Sequence, residues 1–145
     1  MKIVKLTENV AVSAQITPEN VAEIAAAGYK VLVNNRPDGE EANQPGNADI
    51  AAAAKAAGLE YHYMPITAGN FPGPDFGQMR MLLDDTALPV LAFCRSGTRC
   101  ANLWVASRDD ESSKQARALA RQLGYDLSMS TRLHRDCAGN QQDCR

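Results

Sequence analysis

Two histidines and four cysteines in 145 residues leave little from which to build a metal site. Common zinc patterns need closely spaced Cys and His pairs. No Cys-x-x-Cys pair exists here; Cys94, Cys100, Cys137 and Cys144 are spaced otherwise, and His62 and His134 stand apart. No metal and no cofactor are expected on that account. A net charge of −2 offers no basic surface for nucleic acid or for an acidic membrane. No apolar run reaches the ~20 residues of a membrane span. Met1-Lys2-Ile3-Val4-Lys5-Leu6 turns polar too soon for a secretory leader. The expectation is a cytoplasmic protein whose thiols are reduced at rest.

What is present is ordinary in amount and ordered in pattern. Hydrophobic residues make up 45% and charged residues 22%, enough to bury one sizeable core. Lys2 to Ile16 reads as one or two short strands around a Glu8-Asn9 turn. Thr17-Pro18-Glu19-Asn20 opens a helix with Thr17 as N-cap, Asn20 at the capping-box position, and Gly28 as its end. Tyr29 to Asn34 is a β-branched strand running into a polar loop through Pro45-Gly46. Asn47 is expected to cap an Ala-rich helix from Ala48 to Ala57. Leu59 to Ile66 is the next strand, followed by a Gly/Pro-rich loop from Thr67 to Pro74 and a helix capped by Asp75. Leu88 to Phe93 is a buried strand. A helix around Trp104 and another from about Ser112 to Leu123 complete the pattern. Alternating strands and helices define an α/β fold, a mainly parallel central sheet flanked by helices. Residues 1–125 are expected to form the catalytic domain and 126–145 a polar, loosely docked C-terminal tail.

In such a fold ligands bind beyond the carboxyl ends of the strands. There the chain places Phe93-Cys94-Arg95-Ser96-Gly97-Thr98-Arg99. A cysteine ending a strand, a short loop and a helix start can bring backbone N–H groups around one sulfur, and the positive end of the helix adds to them. Both favour the thiolate, which is the nucleophile. Cys94 is the candidate nucleophile. Gly97 permits a tight turn, and Ser96 and Thr98 offer hydroxyl donors. Arg99 brings a planar fork suited to an oxyanion, and Arg95 adds charge at the rim. Arg36 reads either as a second anion clamp or as a partner of Glu40 or Glu41. The chemistry implies a small anionic substrate, either a sulfane sulfur donor or a phosphate ester, with a thiol as a possible acceptor.

Two resemblances rest on these residues. The Cys94 loop resembles the Cys-Arg-Ser-Gly-x-Arg loop of single-domain rhodaneses. A larger set, Val33-Asn34-Asn35-Arg36-Pro37-Asp38-Gly39-Glu40-Glu41, Tyr61-His62-Tyr63-Met64-Pro65-Ile66, and the Cys94 loop with Leu103-Trp104, resembles the phosphatase-like domain of beta-lactamase-hydrolase-like proteins, over about Leu6 to Gly124. That resemblance implies the cysteine-based fold of dual-specificity phosphatases, with activity described as either phosphatase or sulfur transferase. Some members are fused to a metallo-β-lactamase-like persulfide dioxygenase; the His-x-His-x-Asp-His motif of such a partner is absent here. The family usually has Ser after the loop arginine, where a phosphatase uses a hydroxyl to steady the thiolate. This chain has Cys100, which reads as a packing residue or as a redox partner of Cys94.

Cys94 and Arg99 are spaced Cys-x4-Arg, one residue shorter than the Cys-x5-Arg of phosphatases in this superfamily. A smaller cradle suits a sulfane sulfur better than a phosphoryl group. A phosphatase also needs a general acid. Asp75 is the best candidate, with a helix cap as its plainer role; Asp38 lies in a turn sequence. Sulfur transfer needs no such acid, because thiolates leave readily. Transfer through a Cys94 persulfide is therefore the leading expectation. Phosphatase chemistry through a Cys94 phosphocysteine is the alternative, and a non-catalytic phosphate- or sulfate-binding module is the third reading.

Overall fold

A computed structural model describes residues 1–131. Ten elements follow in order: β1 (Val4–Lys5), β2 (Val10–Ser13), α1 (Pro18–Ala26), β3 (Val31–Asn34), α2 (Asn47–Ala56), β4 (Glu60–Tyr63), α3 (Phe76–Asp84), β5 (Val90–Phe93), α4 (Thr98–Ser107) and α5 (Asp110–Gln122). Among the described residues the strands form one five-stranded sheet in the order β1-β2-β5-β3-β4. Only the β1–β2 pair is antiparallel; β2–β5, β5–β3 and β3–β4 are parallel.

Strand periodicity divides the core into two layers. Val10, Val12, Val31, Val33, Val90 and Ala92 face one side, where they meet Met79, Leu83, Leu103, Trp104, Ala116 and Ala120 from α3, α4 and α5. Ala11, Leu32, Leu91 and Phe93 face the other, packing on Val21, Ile24, Ile50 and Ala54 from α1 and α2. Because β2, β5 and β3 are covered on both faces, each reads as a run of wholly buried residues.

The helix starts test the local reading. Thr17 Oγ1 accepts from the Asn20 amide and Asn20 Oδ1 accepts from the Thr17 amide, so the expected capping box forms. Asn47 does not cap α2. It lies inside the helix with Gly46 at the cap, and its side-chain oxygen instead accepts from the Tyr61 hydroxyl. Tertiary contact with β4 outcompetes the local bond. Asp75 occupies the cap position of α3 but makes no cap hydrogen bond.

Residues 126–131, the start of the expected tail, pack on α4. Asn102 donates to the Asp126 carbonyl and accepts from the Ser130 amide, and Leu127 is buried in the core. His134, Cys137 and Cys144 lie outside the described residues. Among those described, no helix is long and apolar enough to cross a membrane.

Register decides where function can reside. Ser13 and Asn34 both pair with Phe93, and Asn34 pairs with Tyr63. The segments following β2, β3, β4 and β5 therefore leave the sheet side by side at one edge. Leu91 lies fully buried on central strand β5. Leu91→Ala is expected to destabilise the protein by about 2–5 kcal/mol through lost burial and a residual cavity, measured as a fall in the urea midpoint.

Candidate active site

Cys94 is the first residue beyond β5, and neighbouring strands brace it. Its amide donates to the Ser13 carbonyl at 3.3 Å, while the Asn35 amide donates to the Phe93 carbonyl at 2.9 Å. The Arg95 carbonyl accepts from the Gln15 amide at 3.2 Å. The chain then turns at Gly97, whose φ of 91° is left-handed. A side chain there would be strained by the backbone, and its Cβ would lie 3.3 Å from the Tyr125 ring and hydroxyl.

Gly97 is also the N-cap residue of α4 and has no side chain with which to cap it. The Cys94 sulfur takes that place. The Gly97 amide donates to Sγ at 3.1 Å, and the nearby amides of Cys100, Ser96 and Arg99 also favour the charged sulfur. Unsatisfied amides of a first helical turn form a ready anion site.

The Cys94 thiol is held well below its ordinary range, to about 6. The largest cause is the hydrogen bond from the Cys100 side chain; burial opposes it, and the Cys100, Ser96 and Arg99 amides reinforce it. Cys100 is fully buried, and burial followed by the neighbouring Cys94 charge keeps its own thiol protonated. The Cys100 S–H thus stands where the resemblance places a serine hydroxyl and favours the charged form of Cys94. Both cysteines are free thiols.

The other loop residues differ more from expectation. The Ser96 hydroxyl donates to Thr98 Oγ1 at 2.9 Å, so its proton goes to Thr98 rather than to the sulfur. Arg95 is two-thirds exposed at the rim, 3.1 Å from Glu41. Arg99 Nη1 donates to the Ile66 carbonyl at 3.1 Å and Nη2 to Glu40 Oε1 at 2.8 Å. Burial works against the Arg99 charge, but Glu40 and the Cys94 sulfur outweigh it and raise its pKa. Arg36 is the partner of both Glu40 and Glu41, and a buried one, being only 3% exposed. Its Nε, Nη2 and Nη1 donate to Glu40, Glu41 and Gln15 at 2.8, 2.7 and 3.0 Å. An anion clamp needs open donors, and these point at protein acceptors.

Asp38 serves the turn reading: its carboxylate accepts from the Asn47 amide and its own amide donates to the Tyr63 hydroxyl. His62 lies against Glu60 and Gln78 at the sheet's edge strand. Trp104 is core. Asp75 ends the loop that leaves β4 at the same edge, and Arg99 anchors the start of that loop through the Ile66 carbonyl. Glu40, Glu41, Gln15 and Tyr125 are site neighbours that the local sequence pattern did not mark as such, apart from the two glutamates as partners of Arg36.

The doubly covered sheet with a thiolate ringed by helix amides at its carboxyl edge defines a cysteine-based phosphatase-like fold. The chain belongs to the family described as beta-lactamase hydrolase-like protein, phosphatase-like domain, whose model matches residues 2–110. It is 37% identical over 130 residues to the beta-lactamase hydrolase-like protein of Xylella fastidiosa strain Temecula1, covering 88% of this chain and 30% of that protein. The chain thus spans about 30% of that relative's length. A crystal structure from Neisseria meningitidis Z2491, provisionally named a phosphatase, is 33% identical with a TM-score of 0.75, covering 100% of this chain and 99% of its own. Kinase associated phosphatase shares the fold at 15% identity and a TM-score of 0.71, covering 94% of this chain and 93% of that one.

These likenesses do not support sulfur transfer, the leading expectation from loop length; they favour its phosphatase alternative. Loop length alone does not set the size of the cradle, because the loop is only part of it. The amides of α4 and the Arg99 fork extend the donor surface beyond the residues between Cys94 and Arg99.

Cys94 alkylation by iodoacetamide is expected to rise about tenfold per pH unit below 6 and to level off above it, because the thiolate is the reactive form. Cys100 should stay unlabelled in the folded protein. Cys100→Ala should move the Cys94 midpoint up toward the ordinary thiol range, whereas Cys100→Ser, which keeps a donor, should hold it near 6. Mass spectrometry of the labelled peptides measures each.

Proposed function

We propose that this chain is a phosphoric monoester hydrolase acting through a Cys94 phosphocysteine. The observation that carries the reading is the Cys94 sulfur held as a thiolate within a ring of amides and the Cys100 thiol, beside Arg99. The family match and the fold agree with it.

In the first step the Cys94 thiolate attacks phosphorus, an S–P bond forms, and the bond from phosphorus to the ester oxygen breaks. The leaving oxygen takes a proton from Asp75. Backbone amides of the loop and the guanidinium of Arg99 receive the oxygens of the transferring phosphoryl group. Their dipoles are fixed before reaction, so little reorganisation is required as charge develops. In the second step water attacks phosphorus, the S–P bond breaks, and Asp75 takes a proton from the water. Inorganic phosphate leaves and the thiolate is restored. The Cys100 S–H steadies that leaving thiolate.

Arg99 keeps donors for this task. A guanidinium has five N–H groups; one goes to Ile66 and one to Glu40, which leaves a bidentate contact open to an oxyanion. Asp75 is assigned as acid because it stands on the loop tied to Arg99 and its carboxyl is not used as a helix cap.

Hydrolysis of an aryl phosphate tests the assignment. Cys94→Ser should abolish turnover. Asp75→Asn should lower it by about 10²–10⁴-fold, the usual contribution of a general acid, and should accumulate a phosphorylated Cys94 peptide. If the wild-type protein gains one sulfur on Cys94 from thiosulfate and does not hydrolyse phosphate esters, the proposal is wrong. Arg99→Lys retains charge but not the planar fork, and should lose about 100-fold in kcat with an unchanged thermal midpoint; wild-type turnover would show that the fork is not used.

A further inference from the structure

Five charged side chains form an alternating series across the mouth of the site. Arg95 Nε lies 3.1 Å from Glu41 Oε1, and the same oxygen accepts from Arg36 Nη2 at 2.7 Å. Arg36 Nε donates to Glu40 Oε1 at 2.8 Å, and that oxygen also accepts from Arg99 Nη2 at 2.8 Å. Both ends of the Cys94 loop are thereby joined through one buried guanidinium. A third link runs through Gln15, whose side chain accepts from Arg36 Nη1 and whose amide donates to the Arg95 carbonyl.

The centre of this series is fixed. Arg36 is 3% exposed, its amide donates to the Asn34 side chain, and it lies two residues beyond the end of β3. The glutamates are held as well, since the Gln44 side-chain oxygen accepts from the amides of both Glu40 and Glu41, and its nitrogen donates to the Pro37 carbonyl. Glu40 remains ionised, its pKa lowered first by the Arg99 hydrogen bond. A fork whose nitrogens are held by the Ile66 carbonyl and by Glu40 has a defined plane. A fork held at one point would rotate.

We propose that Arg36 is a positioning residue that sets the plane of the Arg99 fork through Glu40 and steadies the Arg95 end of the Cys94 loop through Glu41 and Gln15. The inference rests on the phosphatase reading for its kinetic consequence. It differs from an anion clamp, because Arg36 does not touch the substrate. It also differs from a plug, in which Glu40 would compete with the substrate for Arg99. The physical distinction is where the effect falls. A misaligned fork weakens contacts to the transition state more than contacts to a ground-state anion. A plug weakens ground-state binding.

Glu40→Gln, Glu40→Ala and Arg36→Lys test it. Glu40→Ala and Arg36→Lys should each lower kcat for an aryl phosphate by about 10- to 100-fold, as misplacement of a catalytic group does, with KM changed by less than about threefold. Glu40→Gln, which keeps an acceptor oxygen, should recover part of the Ala loss. In an Arg99→Lys background neither Glu40 substitution should have a further effect, because the fork it orients is gone. Losses that multiply in that background would reveal general damage to the fold and overturn the proposal. Unchanged kcat with a lower KM would make Glu40 a plug and also overturn it. A readout independent of turnover is protection of Cys94 from iodoacetamide by orthovanadate, which forms a pentacoordinate adduct, compared with inorganic phosphate. Protection by vanadate should weaken about tenfold in Glu40→Ala and that by phosphate much less. If wild type binds vanadate so but hydrolyses no ester, the hydrolase reading fails and the positioning role stands. If vanadate protects wild type and Glu40→Ala equally, the positioning role fails.

Discussion

A negative sulfur buried at the end of a central strand has almost no water to solvate it, since Cys94 is 1% exposed. An unpaired charge in such a place would neutralise itself by taking up a proton. The chain instead supplies donors from within the protein, and the architecture around Cys94 follows from that requirement. A helix must begin just beyond the strand, so that its unsatisfied amides face the sulfur. The turn joining them must be tight enough to need the left-handed backbone of Gly97, pressed against Tyr125 and Ser13. A further donor must lie within the first turn of that helix, and Cys100 fills this position with a thiol kept neutral by its own burial.

The same requirement explains the glutamates at the mouth. Three guanidinium groups crowd the edge where an anion is to bind, and without countercharge they would repel one another. The loop between β3 and α2 brings two carboxylates among them, each shared between two arginines. That loop is itself held where the Asp38 amide donates to the Tyr63 hydroxyl, the Asp38 carboxylate accepts from the Asn47 amide, and the Gln44 side chain donates to the Pro37 carbonyl. The rigidity of the mouth therefore descends from polar groups on the edge strand β4 and the start of α2. Register carries this downward: Asn34, Phe93, Ser13 and Tyr63 are in step, so four loops emerge at one level.

Much of this was legible in the residues. The order of strands and helices, the parallel sheet and the Cys94 loop follow from periodicity and from the strand–loop–helix pattern. The Thr17–Asn20 capping box is local and forms as read. Other assignments did not survive packing. Asn47 looks like a cap until Tyr61, fourteen residues later, takes its side chain. Asp75 stands at a cap position without capping. Arg36 does meet Glu40 and Glu41 as read, but Gln15 from another loop joins them in holding it under the surface. The length of the Cys94 loop by itself favours sulfur transfer, whereas helix amides and the Arg99 fork, held by Glu40, widen the donor surface beyond the loop.

The sequence by itself determined the sheet's inner strands, because continuous apolar runs must be covered on both faces, and it singled out Cys94 and Arg99, because strand, turn and helix start lie within a few residues of each other. Those are short-range matters, settled by sterics and hydrogen bonding along the chain. Tertiary structure alone decided that the partners of Arg36 also meet Arg95 and Arg99, which donor steadies the sulfur most, and which polar side chains leave their local partners. These outcomes depend on residues from β2, β3, β4 and α4 arriving at one edge. Their energies come from desolvation, which exists only once that edge has been assembled.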